Sequence, residues 1–277
     1  MSAQSSTQDT STVPRAPWRD QFVEHVSKMK SPEFVLSTLG SDPTGRFKVI
    51  PRARTCIYRG MWGAMTPNDR NPAKKNPAAF ESDCPTLTTD VRMEKVGEIF
   101  RPAVGTATDE DIHGCGGGGP VEALWWIKEE GIMTQWRLRG DAWIVAPNID
   151  DKDNNKSEKT KEQIGKWTRV VDEKEVENWS WERELTAHYG NLAPGMRGSF
   201  KNPPPGKPAN ENSKEAEKVG EGTEDLQDSE GRKNFRVVVI RPYSVESIDL
   251  SDPSKARRQH YTYDEENSKW EHETLWP

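Results

Sequence analysis

Three short strand-like runs in this chain carry cations where a dry core would reject them. They are Arg54-Thr55-Cys56-Ile57-Tyr58-Arg59-Gly60, Thr88-Thr89-Asp90-Val91-Arg92-Met93-Glu94-Lys95 and Gln135-Trp136-Arg137-Leu138-Arg139-Gly140. A strand facing only apolar neighbours does not hold two or three guanidinium groups, because an unpaired buried charge is heavily penalised. A strand beside a bound phosphate does, since Arg and Lys give it charge-assisted hydrogen bonds. Three such runs in one chain point to a bound anionic cofactor.

The alternation within these runs sharpens the reading. Strand period puts Gln135, Arg137 and Arg139 on one face, with Trp136 and Leu138 on the other. A solvent-facing side of an antiparallel sheet explains that segment equally well. Arg52, Arg54, Cys56 and Tyr58 share a second face, and Arg59-Gly60 ends the strand at a turn. The third run is a strand feeding a helix, where backbone N–H groups favour an anion and Arg92 and Lys95 add charge.

The remaining chain sets limits on these ideas. Of 277 residues only 32% are hydrophobic and the mean hydropathy is -0.93, so part of the chain lies outside any packed core. We expect a globular part of about 200 residues, a polar disordered tail over residues 1–15, and solvated insertions at about 148–166 and 201–233. A net charge of -6 and a pI of 5.6 argue against general nucleic-acid or acidic-membrane binding. No apolar run approaches the roughly 20 residues that span a bilayer. The three cysteines are odd in number and show no paired metal spacing, and no secretory leader pattern is visible, which favours a reducing, cytoplasmic setting. The five histidines are scattered without zinc spacing, so no metal is expected.

Along the chain, Pro17 opens a helix whose Trp18, Phe22, Val26 and Met29 form one stripe. Strands are expected over 34–39, 47–58, 86–89, 121–128, 133–145, 235–240, 245–250, 259–263 and 270–275. Helices are expected over 91–100, with Asp90 as N-cap, and over 179–189. Val237 to Ile240 read as buried on both faces. The run Gly114 to Gly119 lacks the Lys-Ser/Thr of a phosphate loop and reads as a flexible loop with Cys115 exposed; Cys56 reads as buried. The eleven tryptophans read mostly as core and interface residues, with Trp125, Trp126 and Trp136 as candidates to border a ring cofactor. Many strands with few helices predict a mainly β barrel or sandwich with peripheral helices.

The ordered motifs resemble the pyridoxamine 5'-phosphate oxidase family of FMN-binding split barrels, most closely its fungal, plant and cyanobacterial branch. The series runs W-x-x-x-F at Trp18 and Phe22, R-x-R-T-x-x-x-R-G at Arg52 to Gly60, T-D-x-R-x-x-K at Thr89 to Lys95, and Q-x-R-x-x-G at Gln135 to Gly140. It continues with R-x-S-F at Arg197 to Phe200, Pro204-Pro205-Gly206, N-F-x-V-V-V-I-x-P at Asn234 to Pro242, and Trp270, Leu275 and Pro277. The resemblance spans about residues 17–277 apart from the two charged insertions.

The resemblance implies a six-stranded antiparallel split β-barrel and a homodimer with FMN at the subunit interface. It implies that Arg54 and Arg59 take the two cationic positions of the cofactor strand, and that Thr55, Cys56 and Ile57 meet the flavin ring by main chain. Thr89 and Lys95 match the flavin-phosphate segment, with Arg92 beside them. Gln135 matches the glutamine near the ring, and Arg137 is the candidate cation for the ring's N1–C2=O edge. Arg197 and Ser199 match a polar pair completing the site from the other subunit. On the substrate side, Arg59, Arg183 and Arg258 are the candidates for a small phosphorylated or amine substrate.

The chain departs from the family in places. Met93 stands where the branch usually has Ser, and Glu94 where the oxidases have a second phosphate-binding Arg. A lost charged hydrogen bond costs about 1.5–3 kcal/mol, so weaker FMN binding is expected. Ala256-Arg257-Arg258-Gln259-His260 keeps charge but not the order of the oxidases' C-terminal R-x-H-x-R segment. The expected function is hydride transfer from a donor C–H to FMN. The alternatives are a non-catalytic flavin-binding or sensing module and a barrel that has lost its cofactor.

Overall fold

A computed structural model describes residues 13–66, 68–100, 111–129, 131–151, 154–209 and 216–277. Helix α1 (Arg19–Ser27) leads to strands β1 (Glu33–Gly40) and β2 (Ile50–Ile57), then β3 (Phe80–Ser82) and β4 (Thr86–Asp90). Helix α2 (Glu94–Phe100) precedes a long hairpin of β5 (Gly116–Glu129) and β6 (Ile132–Val145). The second half holds α3 (Asn155–Gly165), β7 (Thr168–Val170), α4 (Trp181–Gly190), α5 (Pro194–Gly198), α6 (Ser229–Asn234), β8 (Phe235–Asp249), and the hairpin of β9 (Arg257–Asp264) and β10 (Lys269–Leu275).

The main sheet is antiparallel and runs β10-β9-β8-β6-β5-β1-β2, with β4 paired to the first part of β8. Past the end of β2, the Arg59 N–H donates to the Thr86 carbonyl and the Thr86 N–H to the Gly60 carbonyl, both at 2.9 Å. These bonds join β2 to β4 and close a ring of β2, β1, β5, β6, β8 and β4. The expected six-stranded barrel is therefore present, and β9 and β10 extend the sheet to eight strands. Closure begins only at Arg59. Upstream, β2 pairs with β1 alone among the described strands, and the barrel is split beside Thr55 to Ile57.

Side-chain alternation builds the core. On β6, Trp136 and Leu138 are fully buried while Gln135, Arg137 and Arg139 face outward, half-buried. Helix α1 plugs the barrel with Trp18, Phe22 and Val26. Phe22 meets Trp125 and Trp136 edge-on at 4.9 and 5.5 Å, a favoured aromatic geometry. A second core forms outside the barrel wall, where Phe235, Val237 and Val239 of β8 pack with Trp143, Leu185 and Tyr189. Val238 and Ile240 point the other way, into the barrel. Val237 to Ile240 are thus buried on both faces, as their unbroken apolar run requires.

Several expectations need correction. Gly116 to Gly119 open β5 rather than forming a loop, and Cys115 is fully buried, with its sulfur accepting the Ala146 N–H at 3.3 Å. The glycines are there for close approach: a Cβ on Gly119 would lie 2.5 Å from the Ile99 carbonyl oxygen of α2. Residues 155–165, expected as a solvated insertion, form α3. Its Asn154 N-cap accepts the Lys156 N–H, and its inner face carries Ile164 with Ser157 and Thr160. Those hydroxyls are buried because they donate to the carbonyls of Asn148 and Lys156. With a single large apolar anchor, the helix has no stripe that sequence periodicity would show.

Other differences are smaller. Helix α2 begins at Glu94 rather than Val91, because the Asp90 carboxylate holds the Arg92 N–H and guanidinium in a turn. The two strands expected over 235–250 are one, with a register shift at Arg139/Gly140 opposite Pro242. Residues 1–12 of the expected tail lie outside the described residues; Val13 is buried in the second core. In the second expected insertion, residues 210–215 lie outside them as well, and α6 forms its end.

Candidate cofactor site

A cleft of about 410 Å³ opens where the barrel is split. One wall is the edge of β2, through Thr55, Cys56 and Ile57, followed by Arg59. The floor is the end of β4 and the turn into α2, through Thr88, Thr89, Asp90, Met93 and Lys95. The far wall is the segment from Leu192 to Pro205, which presents Met196, Ser199, Phe200, Asn202 and Pro203.

Two cations in this cleft have no ion-pair partner among the described residues. Lys95 Nζ donates to Thr89 Oγ1 at 3.2 Å, and Thr89 Oγ1 in turn donates to the Asp90 carbonyl at 3.4 Å. Burial lowers the Lys95 pKa from its ordinary value. The Arg59 Nε is buried with no hydrogen-bond partner, and burial lowers that guanidinium's pKa too. Among the described residues no carboxylate reaches ion-pair distance of either group. Asp90, the one carboxylate lining the cleft, is held by Arg92 at 2.7 Å. The Cys56 thiol at the edge is pushed up by burial, opposed by the nearby Lys95 and Arg54 charges.

The other candidate residues are committed elsewhere. Arg54 turns to α2, where it pairs with Glu98 at 2.6 Å and donates to Thr38 Oγ1 at 2.5 Å. Arg92 staples the far wall, donating to the carbonyls of Phe200 at 3.0 Å and Asn202 at 2.9 Å. Arg197 is buried behind that wall, donating to the carbonyls of Leu192 at 2.6 Å and Thr223 at 2.9 Å and pairing with Glu224. Gln135 and Arg137 stand on the outer face of β6, with Arg137 pairing to Glu122 at 3.1 Å and Glu246 at 3.7 Å. Arg258 joins the same cluster through Glu246. Arg183 donates to the Asn178 carbonyl at 2.7 Å, beside its own helix.

Seven candidates therefore converge on the cleft: Thr55, Cys56, Ile57, Arg59, Thr89, Lys95 and Ser199. Arg54, Arg92, Gln135, Arg137, Arg183, Arg197 and Arg258 do not line it. Ser199 lines the cleft of its own chain. Sequence reasoning missed Leu192, Met196 and Asn202 of the far wall. The R-x-S-F and P-P-x-G motifs were the signal that this segment forms one unit.

Fold and cleft together define an antiparallel split barrel with a cleft lined by Arg59 and Lys95 at its open edge. Residues 15–146 match the family model for the pyridoxamine 5'-phosphate oxidase FMN-binding domain. The match runs from α1 through β6 and takes in Arg59, Thr89 and Lys95. The matched domain is FMN-binding, and FMN is its cofactor. The fold is similar to that of a pyridoxamine 5'-phosphate oxidase-related, FMN-binding protein from Nostoc punctiforme, at 18% identity and a TM-score of 0.59, over 95% of this chain and 100% of that one. A weaker likeness is to PhzG from Burkholderia lata in complex with tetrahydrophenazine-1-carboxylic acid, at 13% identity and a TM-score of 0.46, over 96% of this chain and 100% of that one. No curated protein matches the chain. No described helix is long and apolar enough to cross a membrane, and no group of His, Cys, Asp and Glu among the described residues is arranged to hold a metal.

Proposed function

We propose that this chain is an FMN-dependent oxidoreductase of the pyridoxamine 5'-phosphate oxidase type, with the flavin phosphate held by Arg59 and Lys95. The observation that carries the reading is the pair of half-buried cations without a carboxylate partner in one cleft. An orphaned guanidinium Nε and an ammonium held by a threonine hydroxyl fit a phosphate dianion, which supplies the missing acceptors.

FMN held in this cleft would supply the redox chemistry, as hydride acceptor for a small amine or phosphorylated substrate. The chain supplies placement. Arg59, Lys95 and Thr89 bind the phosphate, and the Thr55 to Ile57 edge offers main-chain groups to the ring. Arg92 fixes the far wall, whose Leu192, Met196 and Phe200 exclude water. Asp90 is engaged by the Arg92 guanidinium, so it offers no free base. Gln135, Arg137 and Arg258 share the outer sheet face, and we assign their role to a homodimer in which a second copy brings that face to the cleft. Trp126, 46% exposed on the strand next to Gln135, suits such an interface. The full motif series supports a place in the fungal, plant and cyanobacterial branch, and the three unpaired cysteines a cytoplasmic setting.

A non-catalytic flavin-binding module is the second reading. It is favoured by the engagement of Arg183 and Arg258 with other partners outside the cleft. Purified protein with a flavin absorption spectrum, releasing FMN, and oxidising pyridoxamine 5'-phosphate supports the first reading. FMN without turnover supports the second. Protein that neither carries nor takes up FMN overturns both.

A further inference from the structure

A second concavity, of about 490 Å³, lies between the start of β5, the β6–α3 connection and the start of β8. It shares no lining residue with the cofactor cleft. Its polar lining includes His113, Asn148, Asn154, Lys233 and Arg236, and no lining residue among the described residues is a carboxylate.

Arg236 is the centre of the argument. It is only 2% exposed, yet no carboxylate among the described residues pairs with it. Its guanidinium donates to the carbonyls of Lys233 and Phe235 at 2.8 Å each and to that of His113. Those carbonyls fix its position without neutralising it, and its Nε has no partner. Burial pushes its pKa down to about 10, offset only in part by the charge of Asp90.

The rest of the pocket adds donors. The Asn154 side-chain oxygen accepts the Lys156 N–H at 3.0 Å as the cap of α3, and the Asn148 oxygen accepts the Cys115 thiol at 3.6 Å. Both amides therefore present N–H₂ groups. They close around Gly114, where a Cβ would lie 3.2 Å from Asn148 Nδ2 and 3.9 Å from Asn154 Nδ2. The N-terminus of the eleven-residue α3 adds the positive end of its dipole. Lys233 is exposed at the rim.

We propose that this pocket is a second anion site, built for the phosphate monoester group of a small metabolite and separate from the cofactor cleft. A dianion with three acceptor oxygens matches a donor-rich lining around a fixed guanidinium, and the volume leaves room for the organic part of the ligand.

The test is calorimetric titration of the full-length protein with inorganic phosphate and with glycerol 3-phosphate. It uses wild type, Lys233→Glu at the pocket rim, and Lys95→Met in the cleft. Glycerol 3-phosphate binding that survives Lys95→Met and weakens at least tenfold in Lys233→Glu establishes the site. Lys233 is exposed, so its variant is expected to fold, and an unchanged circular dichroism melt checks this. Arg236→Lys, which keeps charge but loses the fork, is expected to weaken binding as well. Binding that vanishes in Lys95→Met and is untouched by Lys233→Glu assigns the anion to the cleft and overturns the proposal. Binding of inorganic phosphate alone overturns the ligand class, and absence of binding in wild type overturns the site.

Discussion

Lys95 Nζ donates to Thr89 Oγ1 at 3.2 Å across the turn from β4 to α2, and no carboxylate shares that ammonium among the described residues. The two residues are six apart in sequence and meet because β4 ends in a turn held by Asp90 and Arg92. A buried cation kept without a counter-ion is costly to the free protein and becomes favourable when an anion arrives.

Replacement of Lys95 by Met is therefore expected to weaken FMN binding by about tenfold to a hundredfold. That corresponds to a charged hydrogen bond of about 1.5–3 kcal/mol. The free protein should melt no lower than wild type, since the unpaired charge is gone. Flavin fluorescence titration and a thermal melt check the two halves.

The pH dependence follows from the sign of the Lys95 shift. Burial lowers its pKa below the ordinary 10.5, so the unfolded chain holds this proton more tightly than the folded one. Its contribution to free-protein stability rises with pH through the window between the lowered value and 10.5. FMN affinity runs the other way and falls over that window as the ammonium deprotonates. Lys95→Arg, which stays charged, should flatten the fall. Titrations between about pH 7 and pH 10 decide it.

Arg92→Ala removes the staple between the β4–α2 turn and the Phe200 and Asn202 carbonyls. Loss of about 1–3 kcal/mol of stability is expected. FMN affinity should drop less than in Lys95→Met, because Arg92 shapes the wall without lining the cleft. Denaturant melts beside flavin titration separate the effects.

Gly119→Ala is expected to couple fold and site. Its Cβ would press on the Ile99 backbone, and overpacking of this kind costs about 1–3 kcal/mol. Because Ile99 and Lys95 share α2, FMN affinity should fall with stability, while Gly165→Ala, with open space around it, should leave affinity unchanged. Parallel melts and titrations test this.

Much of the barrel was legible because strands declare themselves locally. The alternation at Gln135 to Arg139 and the unbroken run at Val237 to Ile240 each reflect which faces are buried. Where burial is achieved by other means, the pattern goes silent. Helix α3 anchors through Ile164 and satisfied hydroxyls, and the glycines of β5 serve the approach of α2, which no local pattern encodes.

By itself the sequence determined where most strands lie along the chain, the double-faced burial of Val237 to Ile240 and the presence of an excess of cations along three strands. Only the tertiary structure decided which cations are free. Arg54 and Arg59 lie on one strand run, five residues apart. Helix α2 brings Glu98 onto Arg54 at 2.6 Å, while no carboxylate among the described residues pairs with Arg59. Charge is a property of the residue, but its compensation depends on residues distant in sequence that only the packed chain brings within a few ångströms, and that compensation separates a structural arginine from a binding one.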